Sequence, residues 1–281
     1  MSLIERALGK ARKSPEAQGT ERTAYRRPAV GQPARSHGEP QLHVSPLMCE
    51  RLGLTPANEQ GHQWMSEYRH IKRQVIAGTH AQPDARTVMV ASALAGEGKS
   101  FIAANLARSL ALEPDYTVLL VDADVVKPHV SRSLELVDRP GLMDALVDTQ
   151  RDIESLVITT DIDGLSVLPA GSVSANAPEY LGSERMRVAL EQLQSVPGRI
   201  VLIDSLPLLL TTEARALVPL VSQVLMVVRA ESTAQAAVQQ ALDLLGPAVD
   251  VKLVLNAVVR TRLTHYLGYG YGYDYNYGTG K

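Results

Sequence analysis

The chain has 281 residues, of which 28 are basic and 30 acidic, and a formal net charge of −2. This balance excludes a general polyanion binder held to nucleic acid or to an anionic membrane by bulk charge. A single cysteine, Cys49, excludes an intramolecular disulfide framework and any multi-cysteine zinc or iron–sulfur site within one chain.

Residues 1–60 hold six Pro, five Gly and no Asp. Ser2 to about Lys13 reads as a short docking helix, with Leu3, Ile4, Ala7 and Leu8 on one stripe. The rest of this stretch reads as a flexible, mildly basic arm. A second helix is expected over about 62–76, where Trp64, Tyr68, Ile71 and Val75 share a face and Arg69, Lys72 and Arg73 occupy another. It opens a domain expected over 61–262.

From Arg86 onward strands and helices alternate. Strands are expected at 87–92, 116–124, 165–170, 199–205, 222–230 and 251–259. Helices are expected at 100–113, 141–148, 178–196, 211–220 and 233–246. The strands are continuous apolar runs, as in a sheet covered on both faces. One Phe and one Trp stand beside ten Tyr, so the core is built from aliphatic residues. The pattern predicts an α/β, doubly wound, mostly parallel sheet, with ligands at the carboxyl ends of its strands.

The first strand runs into ALAGEGKS, residues 93–100, and then into a helix. This is the P-loop pattern with Ala93 at its first position. Gly96 and Gly98 let backbone N–H groups turn toward phosphate oxygens, and the following helix aims its positive end at the same anion. Lys99 can reach the β/γ-phosphates of ATP and Ser100 can ligate Mg²⁺. Residues Ala95, Gly96, Glu97, Gly98, Lys99, Ser100 and Phe101 are the expected nucleotide-binding set. Two further strands end in carboxylates: VLLVDAD in Asp122 and Asp124, and RIVLIDS in Asp204. A bare carboxylate at a buried strand end is costly without a partner, and Mg²⁺ supplies one. Ser100, Asp122 and Asp204 are the expected metal-site residues.

These motifs resemble the bacterial tyrosine kinases of polysaccharide export, over about residues 62–281. ALAGEGKS is similar to the family's Walker A, VLLVDAD to its A-prime motif, IVLIDSLPLLLTTEA to its Walker B, and HYLGYGYGYDYNYGTGK to its tyrosine cluster. MSLIERAL and SEYRHIKR resemble the subgroup tied to exosortase-linked exopolysaccharide clusters. The resemblance implies that Lys99 stabilises the transferring phosphate. It makes Asp122, assisted by Asp124, the group that orients and deprotonates a tyrosine hydroxyl, and Asn256 an adenine-edge residue. It also implies a P-loop ATPase fold of the ParA/MinD kind and partners: a membrane-embedded chain-length-determinant activator, a ring of identical subunits and a tyrosine phosphatase, but no nucleic acid. Two departures stand out. Leu206 replaces the first Pro of the family's Asp-Ser-Pro-Pro. In the helix whose Glu-x-x-Arg-x-x-Arg motif builds the ring, Ser66, Arg69 and Lys72 stand at the three positions.

The segment 263–281 carries Tyr266, Tyr269, Tyr271, Tyr273, Tyr275 and Tyr277 among glycines. Glycine at this density opposes a helix, and about 16 extended residues reach roughly 50 Å. These six tyrosines are therefore expected as phosphate acceptors, phosphorylated in trans, with phosphorylation loosening the ring by charge repulsion. No stretch of ~18 apolar residues and no signal-peptide core occurs, so a cytoplasmic chain, peripheral at the inner membrane through its partner, is expected. Two rivals share the fold: a ParA/MinD-like positioning ATPase, which usually carries an extra Lys early in the loop that SALAGEG lacks, and a nucleotide-binding adaptor that phosphorylates nothing.

Overall fold

The computed structural model describes residues 39–54, 59–81, 86–174, 176–247 and 249–259. The expected docking helix at Ser2–Lys13 and all six tail tyrosines lie outside the described residues.

The part of the expected arm from 39 to 54 is built into the fold. Helix α1, Pro46–Leu52, starts at Ser45, whose Oγ accepts the Met48 N–H at 3.2 Å, and stops at Gly53 in the left-handed region. Met48 and Leu52 are buried in the core. Before the helix, Leu42 forms a bridge to Thr160. Seven residues are too few for a helical period to stand out in so Pro- and Gly-rich a stretch.

Helix α2 spans Glu59–Ala81, longer than expected at both ends. Tyr68, Lys72, Val75 and Thr79 are buried along it. It comes so close to the sheet that a Cβ on Gly78 would lie 2.4 Å from the Gln223 side-chain oxygen.

Among the described residues the sheet has seven strands: β1 Thr87–Ser92, β2 Thr117–Asp122, β3 Ile158–Thr159, β4 Leu165–Leu168, β5 Arg199–Asp204, β6 Gln223–Arg229 and β7 Asp250–Asn256. Their order is β3-β4-β2-β5-β1-β6-β7. Every neighbouring pair is parallel except β3–β4. The remaining helices are α3 Lys99–Ala111, α4 His129–Ser133, α5 Leu142–Val147, α6 Ala177–Leu181, α7 Glu184–Gln194, α8 Thr212–Leu217 and α9 Gln235–Leu245. They cover both faces and leave two mainly aliphatic cores, one on each side, the second including Tyr68 and Tyr116. In β1, neighbouring residues alternate between these cores: Met89 and Ala91 face one, Val88 and Val90 the other. Burial on both sides is why the run TVMVAS is continuous rather than alternating.

The helix expected over 178–196 is two helices. Ser183 is extended (φ −88°, ψ 164°), and its side chain accepts from the Met186 N–H to cap α7. Such a local hydrogen bond competes with helix continuation. The helix α4 and the antiparallel strand β3 were not expected; each is five residues or fewer.

Candidate functional site: a phosphate loop beside a buried carboxylate

The parallel register brings the motifs together. Asp122 pairs with Asp204 across β2 and β5, and Asp204 pairs with Val90 of β1. The loop after β1 therefore begins beside Asp204, with Asp122 one strand further away. Lys99 opens α3 and is buried, and Ser100 follows at half-burial.

Gly96 and Gly98 both take left-handed backbone angles, φ 78° and 95°. At Gly98 a Cβ would also meet the Asn256 amide nitrogen at 2.1 Å, so only glycine fits. The Glu97 carboxylate is buried inside the loop; it accepts the Leu94 N–H at 2.7 Å and the Thr233 hydroxyl. Arg229 donates to the Gly96 carbonyl at 3.0 Å, and Asn256 Nδ2 to the Glu97 carbonyl at 2.9 Å. Arg229 and Thr233 carry no sequence signal for this role, because it depends on β6 lying next to β1. The Phe101 ring packs on Gly53, so the side chain of this expected nucleotide residue faces α1.

Asp204 is fully buried, and neither of its carboxylate oxygens has a hydrogen-bond partner among the described residues. Burial, then the charge of Asp122, pushes its pKa up to about 8, against the pull of the nearby Ser100 hydroxyl and Lys99. The loop that follows is anchored by packing: Leu206 is buried, and the Leu208 N–H donates to the Ser92 carbonyl at 2.8 Å. This replaces the stiffness that a proline at 206 would give.

Asp122 is equally buried but fully engaged. Its Oδ2 accepts both the Ser131 N–H and the Ser131 hydroxyl at 2.7 Å, and its Oδ1 accepts the Asp124 N–H at 3.3 Å. Ser131 Oγ in turn accepts the Ala170 N–H at 3.0 Å. Burial raises the Asp122 pKa to about 6, although the two Ser131 bonds lower it. Its oxygens tie β2 to α4, and Ser131 carries the link on to the loop after β4. Asp124 is half-buried at the mouth, accepts the Lys127 N–H at 2.9 Å, and has a pKa raised by burial against the pull of that bond and of Lys99.

Lys72, expected in a ring-building motif, is turned inward. It donates to the Ser109 carbonyl at 3.2 Å and pairs with Glu113 at 2.6 Å, pinning α2 to α3. Arg69 and Arg73 are exposed. No helix among the described residues is long and apolar enough to cross a membrane.

The model of the AAA domain family matches residues 85–253. The tyrosine-protein kinase ptk of Acinetobacter johnsonii is 36% identical over 116 residues, 41% of this chain and 15% of that protein. The tyrosine-protein kinase YwqD of Bacillus subtilis is 34% identical over 153 residues, 54% of this chain and 62% of that one. The chain thus spans less than two thirds of either relative. Among solved structures, the kinase domain of VpsO superposes with a TM-score of 0.58 at 28% identity, covering 69% of this chain and 98% of that one.

Proposed function

This chain belongs to the AAA domain family, and from that premise we propose that it is an ATP-dependent protein-tyrosine kinase that phosphorylates its own C-terminal tyrosine cluster in trans. The relatives named tyrosine-protein kinase support the class. The observation that carries the chemistry is Asp204: two buried, unpartnered carboxylate oxygens beside the Ser100 hydroxyl and the Lys99 ammonium. That donor set suits a hard divalent cation such as Mg²⁺ whose remaining ligands come from water and nucleotide phosphates. Among the described residues no cluster of three or more His, Cys, Asp or Glu forms a metal cage of its own.

When bound, Mg²⁺ neutralises developing charge on the phosphates. Ser100 and Asp204 hold it. Lys99 contacts the transferred phosphoryl group, and the N–H groups of the loop cradle its neighbours. Asp124, the carboxylate at the mouth, orients the incoming tyrosine hydroxyl, and Asp122 holds the Asp124 backbone in place. This reverses the order implied by the family resemblance. In a loose phosphoryl transfer, orientation counts for more than full deprotonation.

The acceptors are Tyr266, Tyr269, Tyr271, Tyr273, Tyr275 and Tyr277. We further propose that phosphorylation controls the assembly of a ring of identical subunits and, through it, polysaccharide chain length and export. The exosortase-linked subgroup, a membrane-embedded activator, an opposing phosphatase and a place at the inner membrane belong to the same proposal. With Lys72 turned inward, ring contacts on α2 fall to Arg69 and Arg73.

The test is incubation of the full chain with ATP and Mg²⁺, with and without the activator, followed by phosphotyrosine mapping. Label on the tail that disappears in Lys99→Ala is the expected result. Strong ATP hydrolysis with unlabelled tyrosines would instead favour a positioning ATPase, and nucleotide binding with neither would favour an adaptor.

A further inference from the structure

We infer that Arg229 and Asn256 are positioning residues that aim the phosphate loop's N–H groups, so that Asn256 acts on the phosphates of any nucleotide. This rests on the nucleotide-binding half of the proposed function. In a trans peptide the C=O of one residue and the N–H of the next point in opposite directions. Fixing a carbonyl outward therefore aims the following N–H inward. Arg229 holds the Gly96 carbonyl at 3.0 Å, which sets the Glu97 N–H. Asn256 holds the Glu97 carbonyl at 2.9 Å, which sets the Gly98 N–H. The Gly98 carbonyl accepts the Ile102 N–H at 2.9 Å as the first bond of α3, which sets the Lys99 N–H.

Three consecutive peptide planes are thus anchored on their carbonyl side. Among the described residues none of the three N–H groups donates to protein. Successive N–H groups converging in this way form an anion-binding concavity. The Glu97 carboxylate fits the same scheme. A buried negative charge in a phosphate site is unfavourable unless its oxygens are engaged, and here the Leu94 N–H and the Thr233 hydroxyl engage them. The Thr233 oxygen also accepts the Arg229 N–H at 3.1 Å, so the segment after β6 is locked to the loop at several points. Asn256 has its Oδ1 on the Ala257 N–H at 2.8 Å, which fixes its amide plane toward Gly98.

Binding of Mg²⁺-ADP, Mg²⁺-GDP and inorganic tripolyphosphate to the full chain tests this, with thermal melting of each nucleotide-free variant as the folding control. Asn256→Ala and Arg229→Ala are each expected to weaken all three ligands by about the same factor, roughly tenfold for a lost hydrogen bond that pre-orients a donor. Arg229→Lys, which keeps a donor, should recover most of the loss. If Asn256→Ala weakens ADP but leaves GDP and tripolyphosphate unchanged, the residue reads adenine and the inference is wrong. Wild-type affinity in both alanine variants also overturns it. If a variant melts early, Arg229→Lys against Arg229→Gln decides for that position, and Asn256→Gln against Asn256→Leu for the other. A wild-type chain that binds none of the three ligands overturns the nucleotide reading itself.

Discussion

Asp122 and Asp204 sit side by side in register, at the ends of neighbouring parallel strands, and both are fully buried. One accepts three hydrogen bonds; the other, with only the Ser100 hydroxyl near it, is left without a close donor. The difference separates two uses of the same residue type. A carboxylate whose acceptor sites are filled by protein donors is part of the framework. A carboxylate left bare in the interior destabilises the empty protein and is retained for a ligand that satisfies it. Burial alone does not tell the two apart; the partner inventory does.

The largest test of that contrast is functional. On the proposed function, Asp204→Asn should reduce tail phosphorylation by about 100-fold or more, measured by phosphotyrosine labelling, because it removes the charge that would hold the cation. The same variant should raise the melting temperature of the nucleotide-free protein at pH 8, since an unpartnered buried charge is gone.

Asp122→Asn should act in the opposite direction on stability. An amide cannot accept at both of its heavy atoms, so a donor from Ser131 or Asp124 loses its partner. A loss of about 1–3 kcal/mol is expected, read from denaturant unfolding. Equal stability changes of the same sign in the two variants would break the comparison.

A pH series sharpens it further. Both carboxylates have folded pKa values above the ordinary 3.8, at about 6 and about 8. Between 3.8 and those values the folded state binds more protons than the unfolded state. These two groups therefore make stability fall as pH rises through about 4 to 8. The melting temperature of the nucleotide-free chain should drop across the upper part of that window, from pH 6 to pH 8. Asp204→Asn should flatten that part, and saturating Mg²⁺-ADP should flatten it in the wild type. The smallest effect on activity belongs to Ser131→Ala, which removes a bond to Asp122 Oδ2 and leaves the buried Ala170 N–H without its acceptor; it should cost about 1–3 kcal/mol of stability with its phosphorylation rate little changed.

Much of the architecture was legible in the chain. β1 begins and ends where TVMVAS does, and α5, β5 and α9 lie within a residue or two of their expected bounds. Continuous aliphatic runs can settle only in a sheet covered on both faces, and GEGKS between strand and helix has one good use. What was missed is short or non-local. The helix α1 has too few residues to show a period. The split between α6 and α7 depends on one serine choosing to cap. The packed stretch 39–54 depends on contacts with Thr159 and Thr160, more than a hundred residues away.

The inventory of the candidate site is readable from the chain: Lys99, Ser100, Asp122, Asp124 and Asp204 all gather at one end of the sheet, because every parallel strand presents its carboxyl end there. Which of these groups protein partners engage depends on packing between elements. Ser131 claims Asp122, Lys72 is drawn inward to Glu113, and Arg229, Thr233 and Asn256 close on the phosphate loop. These outcomes are set by hydrogen bonds between different elements, most of them distant in the chain. Composition and spacing register which groups are present, while the satisfaction of a buried polar group depends on what the fold brings within about 3 Å of it.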